Sequence, residues 1–391
     1  MLGYLGDWLN LLVRWAHLVV GIGWIGTSFY FIWLDLALRR RERMNPGVLG
    51  TAWLVHGGGF YNVEKYTVAP PELPPDLHWF KWEAYLTWVT GFLLLILQYY
   101  LNARAYLIDP SVLALAPWQA VLISVASLAA GWAAYDGICR SRLGDSPAAL
   151  AVTVFVLIVL AALLYTNVFS GRGALIHVGA LIGTIMSANV FMVIIPNQRR
   201  MIAVMMRGEA PDPKYGKIGK QRSVHNNYLT LPVLVLMVSN HYPMLYAHRH
   251  GWLVVALILV AGGMARHFIN RHDAGEPLAR IAWTLPAAAA ALVAAVVVTA
   301  PRTGGAAAAA SDQEVMRIVS THCMTCHSSK PTHESFREAP KDVRLDDLEQ
   351  VRAHKQQVLA QAVLSEVMPL GNETGMTEEE RRKLGAWLNS R

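Results

Sequence analysis

The chain has 391 residues, 54% hydrophobic and 16% charged, and its mean hydropathy is positive. Soluble domains carry about 25% charged residues, so a water-soluble globule is excluded for residues 1–300, where the charge deficit sits. The net charge of +7 does not mark a nucleic-acid binder, because the basic residues lie in loops between apolar runs and not on one face.

A spanning helix needs about 20 apolar residues. Eight such runs follow in chain order, at 8–38, 80–101, 112–135, 147–167, 173–195, 227–247, 251–270 and 281–300. They predict an all-α polytopic bundle in a lipid bilayer. Thirteen Trp and fourteen Tyr suit its interfaces. The first run is too long for the core of a signal peptide and is preceded by Asp7, so it is expected to remain as an anchor. On it, Arg14, His17, Gly21, Trp24 and Ser28 share one face. GIGWIG at 21–26 matches a dinucleotide fingerprint but lies mid-helix, where small residues serve packing.

Loops after the odd-numbered runs carry seventeen Lys and Arg, against three (Arg104, Arg172 and Arg249) in the alternate loops. Basic short loops stay in the cytoplasm. Both termini are therefore expected outside, in the periplasm if the host is Gram-negative.

Ionisable groups inside spans are costly and point to function. His17, His177, His241 and His267 qualify, as does Arg14. The first three fall in the outer half at about 1.5 Å rise per residue, which points to a b-type haem; a hydrogen-bonded structural histidine is the competing reading for each. The inner side carries HGGGFYNVEKY at 56–66, HNNYLT at 225–230 and RHFIN at 266–270. These are expected to be binding loops and helix ends, or else solvated turns with Asn226 or Asn227 as a helix cap.

After an Ala/Gly-rich linker at 301–310, two Ser/Thr-x-x-Glu patterns, Ser311–Glu314 and Thr377–Glu380, predict helix starts. A small helical domain is expected over 311–391. It contains Cys323-x-x-Cys326-His327, a c-type haem attachment signature. His327 is the expected proximal ligand. A zinc site would need a second cysteine pair. Met368 is the preferred distal ligand, with Met376, His333 and His354 as rivals. Met/His ligation raises the potential and suits an electron acceptor. The third cysteine, Cys139, is read as structural.

The stretches RWAHLVVGIGWIGTSFYFIWLD, HGGGFYNVEKY and HNNYLTLPVLVLMVSNHYP, with CMTCHS and MPLGN, resemble the bacterial membrane-bound urate oxidase family. Its members join an eight-helix membrane domain to a C-terminal cytochrome c. The resemblance implies hydroxylation of urate to 5-hydroxyisourate in purine catabolism. Water supplies the oxygen, no hydrogen peroxide forms, and electrons pass through haem to an acceptor such as cytochrome c or a terminal oxidase. Arg266, Asn226, Asn227, Tyr61 and Trp53 are candidate urate contacts, with Arg14 and Trp15 as an outer-face alternative. His225, His56 and Glu64 are candidate general bases. A quinol-oxidising cytochrome subunit and a transporter with an accessory cytochrome are the competing functions.

Overall fold

The computed structural model describes residues 2–70, 72–74, 76–246, 250–300, 310–334, 336–364 and 367–390. The linker at 301–309 and Arg249 therefore lie outside the described residues. Helix α1 (Leu2–Ala37) is followed by a hairpin of β1 (Val48–His56) and β2 (Gly59–Tyr66). Next come α2 (Trp82–Leu95), a π turn at Ile96–Tyr100, α3 (Ala103–Tyr106), α4 (Pro117–Arg140) and α5 (Pro147–Thr166). Helix α6 (Gly171–Ala188) runs through a π segment (Asn189–Ile194) into α7 (Ile195–Met205). Helices α8 (Pro213–Val238), α9 (Pro243–Tyr246), α10 (Gly251–Asp273), α11 (Leu278–Ile281) and α12 (Thr284–Thr299) complete the apolar part. The C-terminal part holds α13 (Asp312–His322), α14 (Leu348–Ala353), α15 (Lys355–Val358) and α16 (Glu378–Asn389).

The architecture is the helical bundle expected. Among the described residues, six helices are long and apolar enough to cross a membrane: Tyr4–Ala37, Pro117–Arg140, Pro147–Thr166, Gly171–Met205, Gly251–Asp273 and Leu278–Thr299. The expected runs at 80–101 and 227–247 are not among them. In the first, α2 gives way to a π turn after Leu95. In the second, α8 begins at Pro213, not near residue 227. The Asp212 side chain accepts from the Lys214 backbone N–H, and the proline occupies the first turn. The basic residues Lys214, Lys217, Lys220 and Arg222 are thereby drawn into the helix, and it ends at Val238. Asn226 and Asn227 are therefore mid-helix and cap nothing.

A second correction concerns HGGGFYNVEKY, expected to be a loop. Gly57 and Gly58 have φ of +58° and +77°, the backbone of a type I′ two-residue turn. His56 pairs with Gly59, and the strands zip back to Val48 and Tyr66.

Helix α6 is central. Ala174, Leu175, Val178, Leu181, Ile182 and Ile185 are no more than 1% exposed, packed by α2, α4, α5 and α8. Helix α10 closes the bundle against α5, α8 and α12, whereas α1 lies outermost and leans mainly on α2. The α8–α10 contact is close. A Cβ at Gly262 would stand 2.7 Å from Pro232 Cδ and 3.0 Å from its nitrogen, while one at Gly263 would meet nothing within 4 Å.

The C-terminal part has its own apolar cluster, which includes Val315, Ile318, Val319, Leu384, Trp387 and Leu388. Both expected helix starts form. Ser311 Oγ accepts from the Glu314 N–H at 3.2 Å, and Thr377 and Glu380 cap each other reciprocally. Burial opposes ionisation of Glu380. The Thr377 N–H and hydroxyl, His322 and Arg317 outweigh it and hold the carboxyl down at about 2.

Two outcomes follow. Gly262→Ala is expected to lower the thermal midpoint of the solubilised protein, because the rigid pyrrolidine ring cannot yield and overpacking costs about 1–3 kcal/mol. Gly263→Ala should leave it unchanged or raise it. In the C-terminal part, a carboxyl depressed on folding stabilises fully above its unfolded value near 4.5 and loses that share as pH falls toward about 2. The protection factors of the amides in helix 312–322, exchange rates corrected for their intrinsic pH dependence, should thus fall with acid over that window, and Glu380→Gln should flatten the dependence.

Candidate active site

Four consecutive residues of α8 turn to three different neighbours, as a 100° step per residue requires. His225 faces α4, where its Nδ1 lies 2.7 Å from the Tyr135 hydroxyl. Asn226 faces the π segment. Its Oδ1 accepts from Asn189 Nδ2 at 3.0 Å, and its Nδ2 donates to the Met186 carbonyl. Asn227 and Tyr228 face α10, the latter with its hydroxyl 2.7 Å from His267 Nδ1.

The Asn227 contact is the unusual one. Its Oδ1 accepts from Arg266 Nε at 2.9 Å and from Asn270 Nδ2 at 2.8 Å. Arg266 and Asn270 are four apart on α10 and so share a face. All three residues are buried. The guanidinium carbon sits 4.0 Å from the centroid of the Phe29 ring on α1, a cation–π contact that holds it in one plane. Two amide atoms here, Asn227 Nδ2 and Asn270 Oδ1, are buried without a hydrogen-bond partner. An unmet buried polar atom costs about 1–3 kcal/mol. A donor and an acceptor left over side by side, next to a cation, form half of a recognition set for a planar polar anion.

A second network lies against it. Arg222 Nη2 donates to Asp136 Oδ1 at 2.7 Å, and its Nη1 to Asn189 Oδ1 at 3.3 Å. Asn189 Nδ2 also donates to the Tyr135 hydroxyl at 3.0 Å, which leaves that hydroxyl's proton for His225. Asn189 opens the π segment, and such segments often occur at functional positions.

The structure thus brings Arg266 and Asn227 together, with Asn226 and His225 one step round the helix. It does not bring in the hairpin residues. His56, Trp53 and Tyr61 are exposed on the strands. Glu64 accepts from the Tyr66 hydroxyl at 2.7 Å and from Asn45 at 3.0 Å. These bonds hold its carboxyl below the usual range, which weakens it as a base. Arg14 and Trp15 are exposed on α1, and Arg14 Nε bonds only its neighbour one turn back, Asn10. Such a pair has no walls to exclude water. Phe29, Asn270, Tyr135, Asn189, Asp136 and Arg222 are the functional neighbours that sequence reasoning missed. The i, i+4 spacing of Arg266 and Asn270 was the available signal.

The family model described as urate oxidase N-terminal matches residues 3–300. The chain belongs to this urate oxidase family. Comparison with curated proteins and with solved structures gave no match. Membership carries a urate-related oxidase function to the bundle that holds Arg266, Asn227 and Asn270. The C-terminal part lies outside the matched residues.

Residues that can hold haem in this urate oxidase family member differ in how free they are. His327 Nδ1 donates to the Val343 carbonyl at 2.9 Å, which fixes the tautomer and leaves Nε2 with its lone pair. Cys323 and Cys326 are free thiols. Desolvation pushes the Cys323 thiol up to about 12 and raises that of Cys326, so neither is a ready thiolate. Met368 and Cys323 border the same apolar cluster, Met376 is buried within it, and His333 Nε2 lies 2.9 Å from Glu373. The His354 backbone caps α14. In the bundle, His17 Nδ1 donates to the Thr87 carbonyl at 3.1 Å, the same tautomer-fixing pattern. A Cβ at Gly91 would come within 3.0 Å of its ring. Both ring nitrogens of His177 are engaged. Its Nδ1 donates to the Gly173 carbonyl and its Nε2 accepts from Ser124, both at 2.7 Å, inside a closed aromatic shell. His241 is exposed in a 3-10 turn, and His267 is tied to Tyr228. Among the described residues no group of three or more His, Cys, Asp or Glu side chains converges. Haem iron needs only two protein ligands, so that criterion does not bear on it.

Tyr135→Phe removes the hydroxyl shared by His225 and Asn189 without adding volume. It is expected to destabilise the bundle by about 1–3 kcal/mol, read as a fall in thermal midpoint. Tyr61→Phe on the exposed strand should change nothing.

Proposed function

We propose that this protein hydroxylates urate to 5-hydroxyisourate at the inner ends of α8 and α10, and delivers the electrons to a haem held covalently by its C-terminal part. The observation that carries the reading is the buried Arg266–Asn227–Asn270 set with its two unmet amide atoms. Urate is a planar anion with carbonyl acceptors and N–H donors. Arg266 would balance its charge, Asn227 Nδ2 would donate to a carbonyl and Asn270 Oδ1 would accept an N–H. Phe29 packs over the guanidinium and limits where it can move.

The reaction balances as urate plus water giving 5-hydroxyisourate, two protons and two electrons. Water forms the new C–O bond at C5, so no hydrogen peroxide is made. His225 is suited to take one proton at Nδ1 through the Tyr135 hydroxyl that already points at it. His267, next to Arg266 in the chain and held by Tyr228, is the second acceptor. Burial of the amides excludes bulk water, which strengthens each of these polar contacts.

Cys323 and Cys326 would attach the haem of the C-terminal part, with His327 and Met368 on its iron, and His17 would hold a b-type haem in the bundle. When bound, these groups supply one-electron acceptors, so two electrons require two groups or two successive transfers. The basic-loop asymmetry of the eight apolar runs supports a topology with both termini and the C-terminal part on the periplasmic side of the inner membrane. A cytochrome c or a terminal oxidase would then take the electrons onward.

An anaerobic optical spectrum before and after urate tests the whole reading. Urate is expected to reduce haem in the wild type. Arg266→Gln should weaken urate binding on the order of 100-fold, since removing one partner of a buried charged pair costs about 2–5 kcal/mol. Cys323→Ala with Cys326→Ala should abolish haem that survives denaturing electrophoresis and leave urate binding intact. A wild type whose haem stays oxidised under urate would refute the proposal.

A further inference from the structure

We infer that the C-terminal part is seated on its own bundle by the loop that carries Met368, and that this loop is the edge through which the two parts exchange electrons. The electron half of this inference rests on the function proposed above; the seating does not.

Gly371 makes the contact. Its φ is +58°, and a Cβ there would stand 2.8 Å from the Ile108 carbonyl oxygen and 3.4 Å from that of Arg104. Backbone lies against backbone, which only glycine permits. Neighbouring residues of the loop divide between the two bodies. Val367 is buried in the apolar cluster of the bundle, whereas Met368 packs against that of the C-terminal part. Arg104 reaches Glu334 at 3.8 Å, and Glu373 borders a crevice of about 310 Å³ with Arg104, Ile108 and Leu115.

Both sides of the contact are braced. The buried Arg381 donates to the carbonyls of Ala362 and Met368, each at 2.6 Å, and so ties the loop to its own core. Opposite, Ser170 donates its hydroxyl to the Tyr106 carbonyl at 2.8 Å and its N–H to that of Leu107 at 2.9 Å, anchoring the docking segment to the start of α6. Below it the rings of Tyr106 and Tyr99 are 6.5 Å apart, and those of Tyr99 and His177 6.0 Å. The expected ligand loop thus rests on a packed aromatic path into the outer half of the bundle. A small, partly polar contact suffices, because a tether raises the local concentration of the partner into the millimolar range.

The test joins Arg104→Cys and Glu334→Cys with a short bis-maleimide in native membranes. A cross-link within one chain is expected. Adding Gly371→Asn should cut its yield on the order of tenfold, because Asn tolerates this backbone but brings the clashing Cβ. Gly375→Asn is the matched control. It has φ of +67° with nothing within 4 Å, and it should leave the yield unchanged. No cross-link, equal yields, or a cross-link only between two copies would overturn the seating. If Gly371→Asn does not accumulate, the parent pair decides by itself. For the electron half, Gly371→Asn should slow urate-driven haem reduction while dithionite still reduces the haem fully. Loss of the cross-link with no change in that rate would overturn the edge and spare the proposed function. A parent that cross-links but is not reduced by urate would overturn the proposed function, and the electron half with it, and spare the seating.

Discussion

A guanidinium buried between apolar helices must be matched from within, because lipid offers no hydrogen-bond partners and an unmatched charge is prohibitively costly there. Arg266 is such a group, and one half of the bundle is arranged around it. Asn227 meets it from α8, Asn270 shares that amide from one turn along α10, and Phe29 closes over it from α1. The neighbouring Arg222 is treated in the same way by Asp136, Asn189 and the face of Tyr135. Two cations thereby fix the relative rotation of α1, α4, α8, α10 and the π segment after α6. The polar atoms left over after this matching are the ones available to a ligand.

The two halves of the bundle are built on different terms. The half that holds Arg266 is amide-rich and incompletely paired. The opposite half is aromatic and closed, with His177 locked between Ser124 and Gly173 and ringed by Tyr99, Tyr165 and Phe169. A site that binds a polar molecule needs the first kind of environment. A medium that conducts charge without binding anything is better served by the second.

Long apolar runs and cap signals were legible because they act locally. The helix starts at Ser311 and Thr377 follow from a few adjacent residues. The pairing of Arg266 with Asn227 was half legible, since both stood in unusual polar stretches at one depth. Their partners were not, because Phe29 reads as an ordinary apolar helix residue until α1 is placed. The start of α8 was misread because hydropathy reports lipid contact, whereas Asp212 and Pro213 start the helix well before it becomes apolar. The partners of His177 were hidden for a related reason. Depth can be counted from a sequence, but whether a ring nitrogen is already spoken for depends on Ser124, a residue of another helix. The stretch HGGGFYNVEKY was read as a binding loop or a solvated turn, yet two of its glycines adopt the backbone that makes a tight hairpin turn.

Pro232 lies inside α8, five residues beyond Asn227. Proline has no N–H, so the carbonyl of Tyr228 loses its helical donor, and the rung missing from α8 is the one beginning next to Asn227. The ring fills the notch left by Gly262, which pins α8 to α10 at that level. Toward its basic end α8 is held to α10 by side chains, Asn227 to Arg266 and Asn270 and Tyr228 to His267, and has one backbone bond fewer to hold it straight. A swing of its basic end, enough to admit a flat molecule between Asn227 and Asn270, breaks no backbone hydrogen bond at that rung.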